Sequence, residues 1–220
     1  MVLINRFEIV DGSQVLDIHG QSRFGYNHSD AIEFYEVEEV IKVNGYYKGN
    51  TISFYDYEIG RVYLPFELKK NVVYGYPVYI NTLYYFIQCD FETRKINAVE
   101  CFPGGSVRIH KSLNMDEVDL GNIMIMDDDL KIVSQENEFR CYYPEQIRLS
   151  LEPSESVVTI DEGKVYINQW IEEGYDDVNN GYTNAYQYYD KLIIKDLSGN
   201  KICDKVGYLS TYHNDQLWLS

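Results

Sequence analysis

The chain has 220 residues, with 35 acidic and 19 basic side chains, and its formal net charge is −16 at pH 7. Because 45% of the residues are hydrophobic, the chain can bury a sizeable core, which argues against a disordered protein. The acidity argues against a nucleic-acid partner, and no apolar run approaches the ~20 residues of a membrane helix. We therefore expect a cytoplasmic protein that binds neither nucleic acid nor a membrane.

Short strands separated by turn residues dominate the chain and predict an all-β fold. The clearest turn signals are Asp11-Gly12, Asn81-Thr82 and Glu162-Gly163. In chain order, the predicted strands cover residues 7–10, 14–19, 40–43, 51–57, 61–64, 78–80, 83–89, 96–102, 123–126, 130–134, 138–142, 157–160, 164–171, 192–197, 201–204, 208–212 and 216–220.

Residues 29–42 fit two kinds of structure. They form a helix if Phe34, Val37 and Ile41 lie on one face, since these positions have helical spacing. They form two strands if the two-residue spacing of Ile32 and Phe34 prevails. We favour strands, because the rest of the chain is dominated by them.

A unit made of an apolar strand, a polar turn and an aromatic-containing strand recurs along the chain. Its turns start near residues 11, 50, 81, 127, 161 and 214, so the gaps are 39, 31, 46, 34 and 53 residues. Gaps of this size are typical of four-stranded propeller blades. In this pattern the chain resembles degenerate β-propeller repeats, and the resemblance implies about five blades in a single domain, residues 1–220. A β-sandwich or an open barrel has similarly spaced strands and remains the alternative.

The sequence contains none of the common catalytic or metal-binding motifs. Its cysteines, Cys89, Cys101, Cys141 and Cys203, are far apart and lie among apolar or aromatic neighbours, so we expect reduced and mostly buried thiols. Nucleophile elbows, phosphate loops and paired metal-binding histidines are absent from the sequence. We expect a protein that is not an enzyme and needs no cofactor or metal, although the many carboxylates leave a glycosidase-like pair open.

Acidic side chains form three clusters, at residues 33–39, 116–129 and 172–177, and tyrosine is unusually frequent, with 22 copies. Carboxylates interleaved with aromatic side chains are typical of surfaces that bind a basic partner, because charge speeds encounter and aromatic side chains anchor the complex. We therefore predict a non-enzymatic binding or scaffold module whose partner is a protein, with a basic protein as one case. In composition the chain also resembles acidic immunity-type inhibitors of basic toxins, and a carbohydrate-binding module is a further alternative.

Residues 172–184 form the longest stretch without strand periodicity and are rich in Gly, Asp and Asn. We predict an exposed loop there, because such residues favour turns and long loops on a rigid scaffold often carry function. The predicted partner-binding residues combine aromatic anchors with carboxylates, and they are Trp170, Tyr175, Asp176, Asp177 and Tyr182.

Overall fold

The computed structural model describes residues 2–126, 130–176, 178–211 and 216–220, with the backbone alone for residue 211. These residues form nineteen strands, one α-helix and one 3-10 turn, which confirms the all-β prediction. The strands group into five sheets, and no sheet of the described residues closes into a barrel. Within the same residues, no helix is both long enough and apolar enough to cross a membrane.

The chain divides into two compact units, residues 1–133 and 134–220. The strands of the first unit are β1 (Leu16–Asp17), β2 (Phe24–His28), β3 (Ile52–Asp56), β4 (Val62–Tyr63), β5 (Val72–Tyr74), β6 (Val78–Ile80), β7 (Leu83–Asp90), β8 (Lys95–Cys101), β9 (Val107–Asn114) and β10 (Met124–Met126). The first sheet has the order β1-β2-β3-β4, and the second has the order β5-β7-β8-β9 with β6 paired to β7. A 3-10 turn, Met115–Glu117, follows β9.

The core of the first unit is aromatic, because alternate residues of β3 and β7 point inward from their sheets. Phe54 and Phe86 are fully buried, and the Phe54 and Tyr84 rings meet edge to face with centroids 5.5 Å apart. Ile52 and Val99 fill the space around these rings.

The second unit begins within β11 (Lys131–Gln135), since the boundary follows residue 133. The remaining strands are β12 (Glu138–Tyr143), β13 (Ile147–Ser150), β14 (Glu155–Asp161), β15 (Lys164–Asp176), β16 (Gly181–Asp196), β17 (Lys201–Val206), β18 (Leu209–Thr211) and β19 (Leu217–Leu219). The third sheet has the order β10-β11-β12-β13, the fourth has the order β14-β15-β16-β17, and β18 pairs with β19.

The strand prediction for residues 29–42 is wrong, because the chain forms helix α1 (Phe34–Asn44). At its start, the backbone N–H of Glu33 donates to the Glu36 carboxylate at 3.2 Å, which satisfies one donor at the helix N-terminus. At its end, Gly45 adopts a left-handed conformation and its N–H donates to the Ile41 carbonyl, so the glycine ends the helix. The predicted strand 40–43 is therefore the last turn of α1.

The predicted hairpin at Asp11-Gly12 is also wrong, because residues 7–10 form no strand and β1 pairs with β2 instead. The backbone N–H of Glu8 donates to the Gly60 carbonyl at 2.8 Å, so this segment lies against the turn between β3 and β4. The turn chemistry of Asp-Gly was recognised correctly, but the strand that follows has a closer partner in β2.

An ion pair between the exposed Arg23 and the buried Asp56 holds the turn after β3. The Asp56 carboxylate is fully buried and accepts hydrogen bonds from Arg23 Nη2 at 2.9 Å and from the Glu58 N–H at 2.9 Å. Burial alone raises the pKa of Asp56, but the hydrogen bonds from Arg23 and Glu58 outweigh burial and hold that pKa below its usual value. The charged form of Asp56 therefore stabilises the fold.

Three of the four cysteines are buried, namely Cys89, Cys101 and Cys141, whereas Cys203 is exposed on the edge strand β17. Burial raises the pKa of Cys101 to about 11 and raises the pKa of Cys89 further. The thiolate is the reactive form of cysteine. The two buried thiols are therefore unreactive for two reasons, since reagents do not reach them and their raised pKa keeps them protonated.

We expect Asp56→Asn to lower the free energy of unfolding by about 2 kcal/mol at pH 7, because it removes a charged hydrogen-bond acceptor. The pKa of Asp56 is lower in the folded state, so its contribution is present above the unfolded pKa of about 3.9 and is lost as the pH falls through the folded pKa. Urea unfolding at pH 7 and at pH 2–3 should therefore show a difference that shrinks in acid. The exposed Asp161→Asn is the control, and an equal loss in both variants would contradict the role of the ion pair.

Treatment of the native protein with iodoacetamide, without denaturant, should modify Cys203 and leave Cys89, Cys101 and Cys141 unmodified. Mass spectrometry of the digested protein measures the labelling at each site. Cys203→Ser should abolish native labelling, while labelling in urea should reach the other three. Fast native labelling of Cys89 would show that the core of the second sheet opens.

Candidate functional site

The prediction of a loop at residues 172–184 is wrong, because β15 and β16 continue past the core as a two-stranded ribbon that contains most of these residues. We call residues 170–176 and 181–190 the ribbon. Glu172 pairs with Tyr188, and Tyr175 pairs with Tyr182 near the tip. Gly174 lies at a bulge with φ +77°, where a Cβ atom would come within 2.5 Å of a backbone oxygen. The glycine that looked like a loop residue thus permits an irregularity inside a strand pair.

The ribbon presents an exposed run of tyrosine rings. The ring centroids of Tyr175 and Tyr182 are 5.5 Å apart, those of Tyr182 and Tyr186 are 4.3 Å apart, and those of Tyr186 and Tyr188 are 6.4 Å apart. Tyr182 is 71% exposed and Tyr188 is 66% exposed. These rings pack on each other along the ribbon rather than into the core.

One face of the ribbon alternates aromatic and carboxylate side chains. Trp170 lies opposite Asp190, and Glu172 lies opposite Tyr188. Residues two apart share a side of a strand, so these four side chains lie on one face, which we call the ribbon face. The Tyr186 hydroxyl donates to Glu172 Oε1 at 2.8 Å, and this hydrogen bond raises the pKa of Tyr186 to about 12.

On the opposite face of the ribbon, the Glu173 carboxylate is used to join the strands. It accepts from Gln187 Nε2 at 2.6 Å and from the Tyr189 hydroxyl at 3.1 Å. The bond to Glu173 raises the pKa of Tyr189. Both hydroxyls that bind ribbon carboxylates therefore remain protonated at neutral pH and hold the two strands in register.

A cavity of about 440 Å³ opens at the base of the ribbon, and we call it the base cavity. Asn168 holds one wall, since its side chain donates to the Leu209 carbonyl at 2.8 Å and accepts from the Leu209 N–H at 2.9 Å. Asn168, Trp170 and the ribbon face lie on the same side of β15, so the base cavity continues outward into the ribbon face. Its polar and aromatic lining consists of Ser154, Ser156, Asn168, Trp170, Asp190 and Tyr208, with Ser210 beside them.

The predicted site residues fall at different places along the ribbon. Trp170 lies at the base cavity and is 46% exposed, whereas Tyr175 and Tyr182 lie together near the tip. The Asp176 carboxylate serves the tip turn, where it accepts from the Asn179 side chain and from backbone N–H groups, and these bonds lower its pKa. Asp177 lies outside the described residues.

Sequence reasoning missed Tyr186, Tyr188, Asp190 and Tyr208 as members of the site. The first three are spaced two residues apart, which is the signal that places them on one side of a strand. Tyr208 had no such signal, because it reaches the base cavity from a different strand connection.

The other two acidic clusters are partly neutralised. Arg94 forms ion pairs with Glu38, at 2.8 Å, and with Asp116. Asp127, Asp128 and Asp129 lie outside the described residues. In the described part of the chain, no group of three or more His, Cys, Asp and Glu side chains is arranged to hold a metal ion.

A second cavity, of about 460 Å³, lies in the first unit between residues 5–7 and residues 57–60. Its acidic lining residue, Glu58, is already paired with Arg23 at 3.4 Å. We therefore take the base cavity and ribbon face as the candidate site.

The comparisons with known proteins gave no match to a protein family, to a curated protein or to a solved structure.

Replacing residues 172–188 by Asn-Gly, so that Ile171 connects to Tyr189 through a short turn, should leave the rest of the chain folded. No described residue in the removed segment is buried, and Ile171 and Tyr189 already face each other across the ribbon. Urea unfolding should give a free energy within about 1 kcal/mol of the wild type. Ile167→Ala, which empties a fully buried position in the same strand, should cost about 2–4 kcal/mol. Loss of cooperative unfolding in the truncated chain would show that the ribbon is part of the core.

Proposed function

We propose that the chain is a non-enzymatic binding module that holds a protein partner against the ribbon face and the base cavity. The observation that carries the proposal is the exposed alternation of Trp170, Glu172, Tyr188 and Asp190 beside a cavity. Tyrosine and tryptophan give large contact areas at a small entropy cost, and they dominate the binding energy of many interfaces.

Burial of side chains does not explain the length of the ribbon in the described part of the chain. Ordering each residue costs about 1–2 kcal/mol of conformational entropy, and folded segments normally offset this by burying apolar surface. Between Glu172 and Tyr188 no described side chain is buried, and Val178 at the tip is 92% exposed. A partner that covers these side chains would supply the missing burial.

The charge of the segment favours a basic partner. Between Lys164 and Lys191 the sequence holds five carboxylates and no lysine or arginine, and the five are Glu172, Glu173, Asp176, Asp177 and Asp190. A field of one sign steers an oppositely charged protein and raises its association rate. A basic toxin bound by an immunity-type inhibitor is one partner of this kind.

Carbohydrate is the second candidate ligand, because Trp170 and Tyr208 lie beside Asn and Ser side chains in the base cavity.

We also propose that the sheets are blades of a propeller-like repeat. The first, third and fourth sheets each hold four strands in sequence order, which is the strand order within a blade. A crystal structure with the sheets arranged around one axis would support this proposal. Two sheets packed face to face would contradict it and support the sandwich.

Selection from a phage-displayed library of random dodecapeptides tests the proposed function and does not require an identified partner. The immobilised wild-type chain is the bait, and the truncated chain that lacks residues 172–188 is the counter-selection. We expect enrichment of peptides rich in Lys and Arg, because the ribbon carries only acidic charge. Their affinity should fall steeply between about 50 and about 500 mM salt, since exposed charges are screened.

Point variants locate the bound peptide. Tyr188→Ala should weaken binding about tenfold or more, as expected for an aromatic anchor, whereas Tyr46→Ala, which changes an exposed tyrosine of the first unit, should not. Peptides that bind the truncated chain equally well would place the site elsewhere. A library with no enrichment over a blank surface would overturn the proposal, and enrichment on a glycan array in its place would support the carbohydrate alternative.

A further inference from the structure

Asp190 stands out among the partly buried carboxylates of the chain. Its carboxylate lines the base cavity, and it forms no hydrogen bond or ion pair with any residue that the structure describes. Three buried carboxylates elsewhere in the protein are each paired with a cation: Lys195 binds Glu155 at 2.9 Å, Lys69 binds Asp90 at 3.0 Å, and Arg108 binds Glu100 at 2.6 Å.

A carboxylate that loses water without gaining a partner is destabilising. Covering the base cavity with a partner would remove the remaining water from Asp190, so a partner without a cation at this point would be disfavoured. The neighbouring Lys191 does not supply the cation, because it lies on the other face of β16 and is directed to Asp204 at 3.6 Å. The missing charge must therefore come from the partner.

The lining of the base cavity selects among cations. A hard metal ion needs several oxygen ligands at once, and the described residues contain no group of three or more suitable side chains. A planar guanidinium can instead pair with one carboxylate through two N–H groups and also stack on an indole ring. Trp170 lies directly opposite Asp190. A single guanidinium can therefore pair with the carboxylate and stack on the indole ring.

Building on the proposed function, we infer that the base cavity receives an arginine side chain of a basic protein partner, which pairs with Asp190 and stacks on Trp170. The hydroxyls of Ser154, Ser156 and Tyr208 line the remainder of the base cavity and can accept from the other guanidinium N–H groups. Glu172 and Tyr188 then contact the residues on either side of that arginine.

The probe for this inference is N-acetyl-arginine-amide, with N-acetyl-citrulline-amide as a neutral compound of nearly the same shape. Trp218→Phe leaves Trp170 as the single tryptophan, so its indole N–H signal in a proton–nitrogen NMR spectrum reports binding. We expect the arginine amide to shift this signal with a Kd of roughly millimolar order, as its size allows. The citrulline amide and N-acetylglucosamine should leave it unchanged.

Asp190→Asn should weaken the arginine amide about tenfold. Asp161→Asn is the matched control, because it removes the same charge from the same sheet outside the base cavity. Equal binding of citrulline, or an effect of Asp190→Asn no larger than that of Asp161→Asn, would overturn the arginine pairing. If selected peptides still bind the ribbon in that case, the proposed function stands and this inference alone fails. A shift with N-acetylglucosamine but not with arginine would assign the cavity to carbohydrate.

Discussion

The antiparallel pairing of β15 with β16 joins twelve residue pairs, and its register determines what the second unit buries and what it exposes. In the core half of this pairing, Ile167 lies opposite Ile193. Three pairs further along, Trp170 lies opposite Asp190 at the base cavity. Because side chains alternate between faces, a slip of one residue would turn Trp170 away from the base cavity. Core and candidate site therefore depend on the same backbone hydrogen bonds.

The distribution of cations leaves the carboxylates of the ribbon without a basic side chain of their own. With 19 basic side chains for 35 acidic ones, the fold can neutralise only part of its carboxylates. Several of the available cations are spent on buried acids, as Arg23 is on Asp56 and Lys195 is on Glu155. The ribbon lies between Lys164 and Lys191, in the longest stretch of the second unit without a lysine or arginine, so no cation within that stretch compensates its negative field.

The sequence predicts local turns correctly, but it does not predict which distant residues lie together in space. The turns at Asn81-Thr82 and Glu162-Gly163 were predicted correctly, because both residues of each turn adopt the positive φ that such hairpins need. The helical spacing of Phe34, Val37 and Ile41 indicated helix α1 correctly, and favouring strands because the rest of the chain is dominated by them led to the wrong prediction. The ribbon was taken for a loop because the bulge at Gly174 interrupts its alternation. The base cavity joins Ser154, Trp170 and Tyr208, and no local pattern relates residues so far apart.

The ribbon is already ordered without a partner, and such order is one requirement of a binding element. Tyr186 donates to Glu172 and Tyr189 donates to Glu173, so each bond crosses between the strands. Contacts between tyrosine rings fix the outer half as well. Such pre-organisation lowers the entropy lost on binding, because the side chains are already confined. The same bonds occupy Glu172 and Glu173, whereas the Asp190 carboxylate at the base has no partner among the described residues. Glu172 and Glu173 thus help to order the ribbon, whereas the Asp190 carboxylate is available to a partner.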